Sequence, residues 1–290
     1  MSRAVAERAF GALLAEGRIP VRREVPLAPY TTLKVGGPAE YFIEPRDPDE
    51  LARVLAAARE CDVPLRVLGS GANLLVRDAG VRGAVVRLTR FTRRRGWHVE
   101  AGYGLPRLVK ESVAEGLAGL EPLAGVPAAV GGAVRMNAGG RHGEIAGAVA
   151  YVDVVGPDGT LRRLRRDEVG FRYRGTSLGD AVVVAAGFDL RPDPQAARRY
   201  GEILAAKKAT QPLGVPSAGC MFKNPPGAHA GRLIDECGLK GARVGRAHVS
   251  RKHANFIVNE GGASADDVLR LVDLVRSRVP VPLELEVLVW

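Results

Sequence analysis

Apolar positions along the chain recur at helical spacing in some stretches and as short β-branched runs in others, which divides it into predicted helices and strands. Over residues 3–16, Val5, Ala9, Leu13 and Leu14 fall on one side and predict a helix. Pro20, Pro26 and Pro29 then interrupt regular structure. Asp47 followed by Pro48 marks a helix start, with Leu51, Val54, Leu55 and Ala58 as its buried stripe. Short β runs at 65–68 and 84–88 flank a Gly-rich loop at 69–83, a β-α-β-like opening. A strand near 97–101 leads into a helix with Leu105, Leu108, Val109, Ser112 and Val113 on one face.

Gly and Ala dominate residues 116–147. That stretch is too apolar for a solvated linker and too rich in Gly for one long helix, so it reads as backbone packed closely against a neighbour. Runs at 151–155 and 161–164 flank Gly156-Pro157-Asp158-Gly159 and predict a hairpin. A β run at 181–190 ends in Arg191-Pro192-Asp193-Pro194, which marks a domain boundary. Beyond it come helices near 195–208 and 230–238, a strand at 256–258, and a helix begun by Ser264 with Asp266 and Asp267 in its first turn. The last strand places Leu283, Leu285, Val287 and Val289 on one face and Glu284, Glu286 and Leu288 on the other. The expected organisation is an N-terminal helix (1–19), a domain over 20–192 in two subdomains (about 20–90 and 91–192), and a C-terminal domain over 193–290.

Composition narrows the classes of function. Of the 290 residues, 46% are hydrophobic and 26% charged, a balance that excludes a disordered or collagen-like chain. Basic residues outnumber acidic ones 42 to 32, and only seven of the 42 are Lys. A nucleic-acid partner is one reading of that surplus; an Arg-rich enzyme with a positive cleft for an anionic ligand is the other. The basic residues are dispersed, with one run of three at 93–95 and no interleaved aromatic patch, which favours a phosphate-bearing small molecule over nucleic acid. Cys61, Cys220 and Cys237 include no Cys-x-x-Cys pair, and the five His residues form no metal-binding motif. The expectation is a reducing, cytoplasmic compartment and no metal. No apolar run approaches the 18 residues of a membrane span, and no secretory signal is evident at the N-terminus.

Familiar nucleotide fingerprints are missing: Gly102-x-Gly104 is followed by Arg107 where a third Gly belongs, and there is no P-loop. Three other Gly-rich segments stand out. They are Val35-Gly36-Gly37-Pro38, Leu68-Gly69-Ser70-Gly71-Ala72-Asn73-Leu74-Leu75, and Gly125-Val126-Pro127-Ala128-Ala129-Val130-Gly131-Gly132-Ala133-Val134-Arg135-Met136-Asn137-Ala138-Gly139. Each alone is as readily a tight turn. Together, with no acidic residue in the second or third, they point to a pyrophosphate-bearing cofactor held by bare backbone N–H groups.

These segments occur in a wider set of motifs: Thr31-Thr32-Leu33-Lys34-Val35-Gly36-Gly37, the two longer Gly-rich loops, Phe171-Arg172-Tyr173-Arg174, Pro216-Ser217-Ala218-Gly219-Cys220-Met221-Phe222-Lys223-Asn224-Pro225 and Leu283-Glu284-Leu285-Glu286-Val287. In that order, from about 27 to 289, the chain resembles the UDP-N-acetylenolpyruvoylglucosamine reductases, the MurB family. The resemblance implies an α+β fold: an FAD-binding domain of the vanillyl-alcohol-oxidase type in two subdomains, and a smaller C-terminal substrate domain. It implies a monomer that binds FAD, uses NADPH as co-substrate, and touches neither nucleic acid nor membrane. NADPH would reduce the flavin and leave. The enolpyruvyl sugar nucleotide would then accept hydride from flavin N5 at its vinyl CH2 carbon and a proton at the carbon beside its carboxylate. Another flavin-dependent oxidase or dehydrogenase on the same scaffold is the alternative.

The resemblance carries roles onto particular residues. Gly36, Gly37, Gly69, Ser70, Gly71, Ala72, Asn73, Leu74, Gly125, Val126, Pro127, Gly131, Gly132, Ala133, Asn137, Ala138 and Gly139 would line the cofactor. Tyr173, Lys223, Asn224, Lys208 and Gln211 would meet the sugar nucleotide, and Arg174, Cys220 and Glu286 would be catalytic. The chemistry suits them, since hydride addition places negative charge on the carboxylate and its alpha carbon. Arg174 would fork onto the carboxylate, Cys220 would protonate the carbon, and Glu286 would act as an acid or orient Arg174. By themselves the plainer readings are favoured: Arg174 as a surface Arg, Glu286 as a solvated strand face shared with Glu284, and Cys220 as a buried thiol. Three positions depart from the commoner pattern. Cys220 stands where Ser usually follows Ser-Ala-Gly, Ala72 replaces a Ser, and Thr176 replaces a Ser after Tyr-Arg. The short interval between Arg174 and Pro216 matches the family's shorter subtype, without a substrate-clamping insertion.

Overall fold

A computed structural model of the chain describes residues 3–290, with the side chains described from Glu7 onward. Val5, part of the predicted first stripe, therefore lies outside the described side chains. The described residues gather into two compact units, each assembled from three stretches of chain.

The first unit takes the chain up to Arg23, then Glu40–Gly69 and Arg82–Ala205. It begins with α1 (Arg3–Glu16), β1 (Val21–Pro26), β2 (Pro38–Ile43), α2 (Pro48–Glu60), β3 (Leu65–Leu68) and β4 (Val81–Arg87). The strands form a sheet ordered β1-β2-β4-β3, with β3 and β4 pairing in parallel. The buried stripe of α1 centres on Phe10 and Leu14, with Ala9 and Leu13 at its margins. Phe10 meets the Tyr41 ring edge-on, with centroids 5.3 Å apart. In α2, the Asp47 side chain caps the first turn by accepting from Glu50 N at 2.8 Å. Glu50 is wholly buried and accepts from Arg46 N at 2.7 Å and Arg46 Nε at 2.6 Å. Burial works to raise its pKa, but these hydrogen bonds and the Arg46 charge outweigh it and hold the carboxyl below its ordinary value.

The same unit continues with β5 (Arg94–Arg95), β6 (His98–Glu100), α3 (Leu105–Ala114), α4 (Val130–Arg135), β7 (Val149–Val155), β8 (Leu161–Arg165) and β9 (Val182–Phe188). Here the five strands pair antiparallel in the order β8-β7-β9-β6-β5. Every residue of β9 is buried, which explains its unbroken apolar run. The Gly/Ala-rich stretch is packed backbone, as expected: Gly131 N donates to Ala101 O at 2.8 Å, and a Cβ at Gly131 would stand 2.7 Å from Ala101 Cβ. The next helix, α5 (Ala196–Thr210), is mostly exposed and buries only Ala196 and Ile203.

The second unit joins Glu24–Ala39 and Ser70–Val81 to Ala206–Trp290. Its sheet contains β10 (Ser217–Cys220), β11 (Arg243–Val244), β12 (Ala247–Val249) and β13 (Phe256–Asn259), ordered β10-β13-β12-β11, with α6 (Ala230–Glu236) and α7 (Ala265–Arg278) completing the unit. One core joins Met221, Phe222, Ile234, Val249, Ile257 and the buried face of α7 to Leu33, Val35 and Leu75 of the early segments. Polar bonds fix those segments further. Asn259 Nδ2 donates to Leu33 O at 3.0 Å, and the Asp78 carboxylate accepts from Ala265 N at 2.8 Å and Asp266 N at 3.0 Å. Ser264 Oγ takes the next donor, Asp267 N, so α7 begins with three of its first N–H groups satisfied.

The alternation predicted over 283–289 is present as burial only in part: Leu283 and Val287 are buried and Glu284 and Leu288 exposed, whereas Leu285, Glu286 and Val289 are all half-buried. A regular ladder is confined to Leu288–Val289, parallel to Leu74–Leu75. The rest is irregular because the segment changes partner, bonding residues 221–223 first and 73–75 afterwards.

Two substitutions test these anchors. Glu50→Gln keeps the shape and removes the charge, and should cost about 1–3 kcal/mol at pH 7. Because the folded pKa lies below the unfolded one, Glu50 stabilises fully above about pH 4.3, and its contribution fades as pH falls through the folded value. Thermal midpoints of wild type and variant should therefore differ at pH 7 and converge only as pH falls through the lowered folded value. Asp78→Ala removes two caps from a helix 187 residues away and should lower the midpoint by the equivalent of about 1–2 kcal/mol, measured by differential scanning calorimetry.

Candidate active site

In the second unit, the approach to Cys220 is shaped by an irregularity in β10. Ser217 pairs with Val258 and Cys220 with Phe256, so the interval on β10 is one residue longer than that on β13. Gly219 occupies the bulge at φ +79°, a conformation that accounts for Gly before Cys in the motif. Past the bulge the chain changes neighbours. Glu286 N donates to Met221 O and Lys223 N donates to Glu284 O, both at 2.9 Å, with Phe222 and Leu285 bridged between them. Cys220 and Glu286, far apart in sequence, thus belong to adjacent hydrogen-bonded segments. Both are half-buried, whereas the Glu284 side chain is 77% exposed, so the two carboxylates of this strand sit in different surroundings.

Asn73 of the second Gly-rich loop joins the same group, donating from Nδ2 to Glu286 O at 3.0 Å and accepting Leu288 N at its carbonyl at 3.1 Å. Leu74 follows, buried in the parallel ladder, while Ser70 and Ala72 are half-buried. At Gly37 and Gly71 the missing side chain is required by neighbouring backbone: a Cβ would stand 2.0 Å from Asp78 O and 2.4 Å from Tyr30 O. Gly36 is confined by a side chain instead, a Cβ there standing 2.8 Å from Val76 Cβ, and its φ is +142°.

The predicted sugar-nucleotide residues divide. The Lys223 ammonium pairs with the Glu284 carboxylate at 3.1 Å. Asn224 is exposed and its Oδ1 accepts from Ala230 N at 3.1 Å, capping α6, a structural duty the motif alone does not reveal. Lys208 O accepts from the Lys252 ammonium, and Gln211 N continues the helical bonding of α5 onto Lys207 O at 2.8 Å.

The first unit holds Arg174, in a tight turn where Arg172 and Gly175 exchange backbone hydrogen bonds of 2.9 and 3.1 Å. Its φ is +55° and its side chain is 18% exposed. The guanidinium lies over the Tyr173 ring, 4.8 Å from the centroid, and Nη1 stands 4.0 Å from Glu144 Oε1. Tyr173 is 54% exposed, a surface aromatic beside a largely buried cation. Glu144 is in turn fixed by Asn137, whose Nδ2 donates to Glu144 Oε2 at 2.6 Å and to Arg172 O at 3.2 Å, while its Oδ1 accepts from Ala146 N at 3.3 Å. Glu144 does not stand out in the sequence, where a single acidic residue after a Gly-rich loop carries no periodic or motif signal.

Asn137 therefore braces the Arg174 turn, whatever else it meets. In the rest of the third loop, Gly125 has φ +77°, Val126 and Ala138 lie against the core, Pro127 is exposed, and Ala133 is buried. Gly139 is held against Gly143 O, 2.3 Å from where its Cβ would be. Two glycines differ. Gly69 and Gly132 have ordinary φ angles, and a Cβ at Gly132 would meet nothing within 4 Å. A Cβ at Gly69 would meet only Gly132 Cα at 3.9 Å and Ala129 Cβ at 4.0 Å. The second and third loops face each other here, and no protein contact explains the bare backbone on either side. Such a cradle, with bare glycine backbone, one Ala methyl and no acidic residue, fits a dinucleotide diphosphate. Among the described residues no group of three His, Cys, Asp or Glu side chains could hold a metal ion, and no helix is long and apolar enough to cross a membrane.

Comparison with known proteins places the chain in a family. Residues 39–165 match the FAD binding domain family, and residues 211–290 match the C-terminal domain family of UDP-N-acetylenolpyruvoylglucosamine reductase. The UDP-N-acetylenolpyruvoylglucosamine reductase 2 of Symbiobacterium thermophilum is 47% identical over 99% of this chain and 96% of its own length. The reductase of the same name from Thermus thermophilus is 50% identical over 90% of this chain and 97% of its own. Among solved structures, the MurB reductase of Thermus caldophilus superimposes with a TM-score of 0.86 at 47% identity, covering 94% of this chain and 99% of that one. A berberine bridge enzyme structure shares the fold alone, at 14% identity and a TM-score of 0.50 over 63% of this chain and 43% of that one. With two family models in order along it and relatives near half-identical over almost its full length, the chain belongs to the UDP-N-acetylenolpyruvoylglucosamine reductase family of FAD-dependent oxidoreductases.

Proposed function

We propose that this protein reduces UDP-N-acetyl-3-O-(1-carboxyvinyl)-glucosamine to UDP-N-acetylmuramate with NADPH, a step of peptidoglycan precursor synthesis that links it to wall growth, cell shape and division. It acts as a cytoplasmic monomer, with FAD held by residues 20–192 and the substrate by 193–290. The observation that carries the reading is the backbone pairing of the Cys220 segment with the strand bearing Glu286, in a chain 47% identical over nearly its whole length to a reductase of this name.

FAD fits the facing loops around Gly69 and Gly132, and when bound supplies the hydride that it takes from NADPH. The remaining chemistry falls to side chains. Saturating the vinyl group leaves one carbon, beside the carboxylate, in need of a proton as negative charge gathers there. Cys220 supplies it from Sγ, and the resulting thiolate is reprotonated before the next turnover. A thiol is well chosen for this: it is mainly protonated at neutral pH, with a reference pKa near 8.5, yet gives up its proton far more readily than a hydroxyl. Arg174 engages the substrate carboxylate and spreads its growing charge. Its left-handed turn, the Tyr173 ring and the braced Glu144 carboxylate restrict the guanidinium, which lowers the entropy lost when a substrate binds. Glu286, less exposed than Glu284, serves the proton transfer, and Tyr173, Lys223, Asn224, Lys208 and Gln211 contribute to sugar-nucleotide binding.

The decisive experiment is anaerobic reduction of the purified yellow protein with NADPH, followed by titration with the enolpyruvyl sugar nucleotide. Reoxidation of the flavin by that compound is expected; a reduced flavin that persists would eliminate this reading in favour of another flavin-dependent dehydrogenase. In the same assay, Cys220→Ala should slow reoxidation by about two or more orders of magnitude, and a rate near wild type would remove Cys220 as the acid. Glu286→Gln should lose about tenfold or more, whereas Glu284→Gln should stay within about twofold, since its exposed pair with Lys223 is worth little. Equal losses from the two would assign the wrong carboxylate.

A further inference from the structure

Asn255 is 3% exposed and lies outside every motif that suggested chemistry, yet it makes three hydrogen bonds to the segment that follows Cys220. Its Oδ1 accepts from Phe222 N at 2.9 Å, its Nδ2 donates to Phe222 O at 2.8 Å, and its own carbonyl accepts from Met221 N at 2.7 Å. Its backbone N–H in turn donates to His253 Nδ1 at 3.3 Å. Burial and the nearby Lys240 charge press His253 toward its neutral form, the form in which that nitrogen can accept.

These bonds solve a local problem. The regular pairing of β10 with β13 ends at Cys220 opposite Phe256, and the peptide groups that follow are buried, with Phe222 itself 1% exposed. Strand 284–286 supplies partners for Met221 O and Lys223 N, but not for Phe222 N or Phe222 O. The carboxamide of Asn255 presents an N–H donor and a carbonyl acceptor at peptide spacing and satisfies both groups. Asp lacks the donor and Ala lacks both groups. Residues 221–223 are thereby clamped between the Asn255 side chain and the strand that carries Glu286.

We infer that Asn255 is a positioning residue for proton delivery, holding Cys220 in register with Glu286 by standing in for a strand at Phe222. This rests on the reading of Cys220 as the proton donor. Without the carboxamide, two buried peptide groups lose their partners, and the segment carrying Cys220 relaxes toward other donors and acceptors.

The test compares Asn255→Ala and Asn255→Asp with wild type, each also combined with Cys220→Ala, in NADPH-reduced holoenzyme mixed anaerobically with the enolpyruvyl sugar nucleotide. On the Cys220 background the limiting reoxidation rate should fall about tenfold or more while the half-saturating concentration moves less than about threefold. On the Cys220→Ala background the same substitutions should change the rate less than about twofold, because the group being positioned is gone. Alkylation by iodoacetamide, followed by peptide mass spectrometry, should be about fivefold or more faster at Cys220 and within about twofold of wild type at Cys237. Asn255→Asp, isosteric but with the Nδ2 donor exchanged for a carboxylate oxygen and its charge, carries the comparison if Asn255→Ala does not fold. Losses of equal size on both backgrounds, or Asn255 variants that reoxidise at the wild-type rate, would overturn the inference while leaving Cys220 in its role. A normal rate for Cys220→Ala alone would overturn that role and this inference with it.

Discussion

A buried peptide group needs a partner, and where this chain leaves its regular ladders near the predicted chemistry, an asparagine side chain supplies one. Asn255 does so for Phe222, Asn259 for Leu33, Asn137 for Arg172 and Ala146, and Asn73 for Glu286. A carboxamide suits the task because it repeats the donor and acceptor of a peptide without committing the main chain to a strand. Each of the two units therefore keeps irregular backbone around its predicted catalytic residues without leaving those amides unsatisfied. The segments that bear the predicted catalytic residues gain fixed positions that loops alone would not give them.

The same constraint separates what can be read from the sequence from what cannot. The helix beginning after Asp47, the hairpin around residues 156–159, and the helix capped by Ser264 announce themselves through local chemistry, and all three are formed. Phe10 escapes the pattern because a stripe drawn through Val5 and Ala9 passes beside the ring that meets Tyr41. Residues 283–289 have the alternation of a strand but little of its ladder, since burial has a period in the sequence and pairing does not. Nothing local tells that Leu33, Leu75 and Asp78 share a core and a helix cap with residues beyond 206.

Site residues divide along similar lines. The motifs around Arg174, Cys220 and Glu286 are legible by family resemblance, and the glycine before Cys220 has its reason in a bulge that no spacing rule identifies. Glu144 and Asn255 are silent in the sequence because their importance lies in which backbone or charge they meet, a matter of tertiary neighbours. Asn224 shows the reverse: a residue conspicuous in a motif caps a helix, which by itself accounts for an Asn at that position.

The discontinuous make-up of the second unit bears on how such a chain can change over generations. Its core draws Leu33, Val35 and Leu75 from early in the sequence, and its longest described helix is capped by Asp78. A recombination event that exchanged only the gene's terminal portion would import a half-core fitted to different early residues, with a helix start awaiting a carboxylate from elsewhere. Inheritance of the intact reading frame, with compensating drift at those early positions, is the evolutionary route this architecture leaves open.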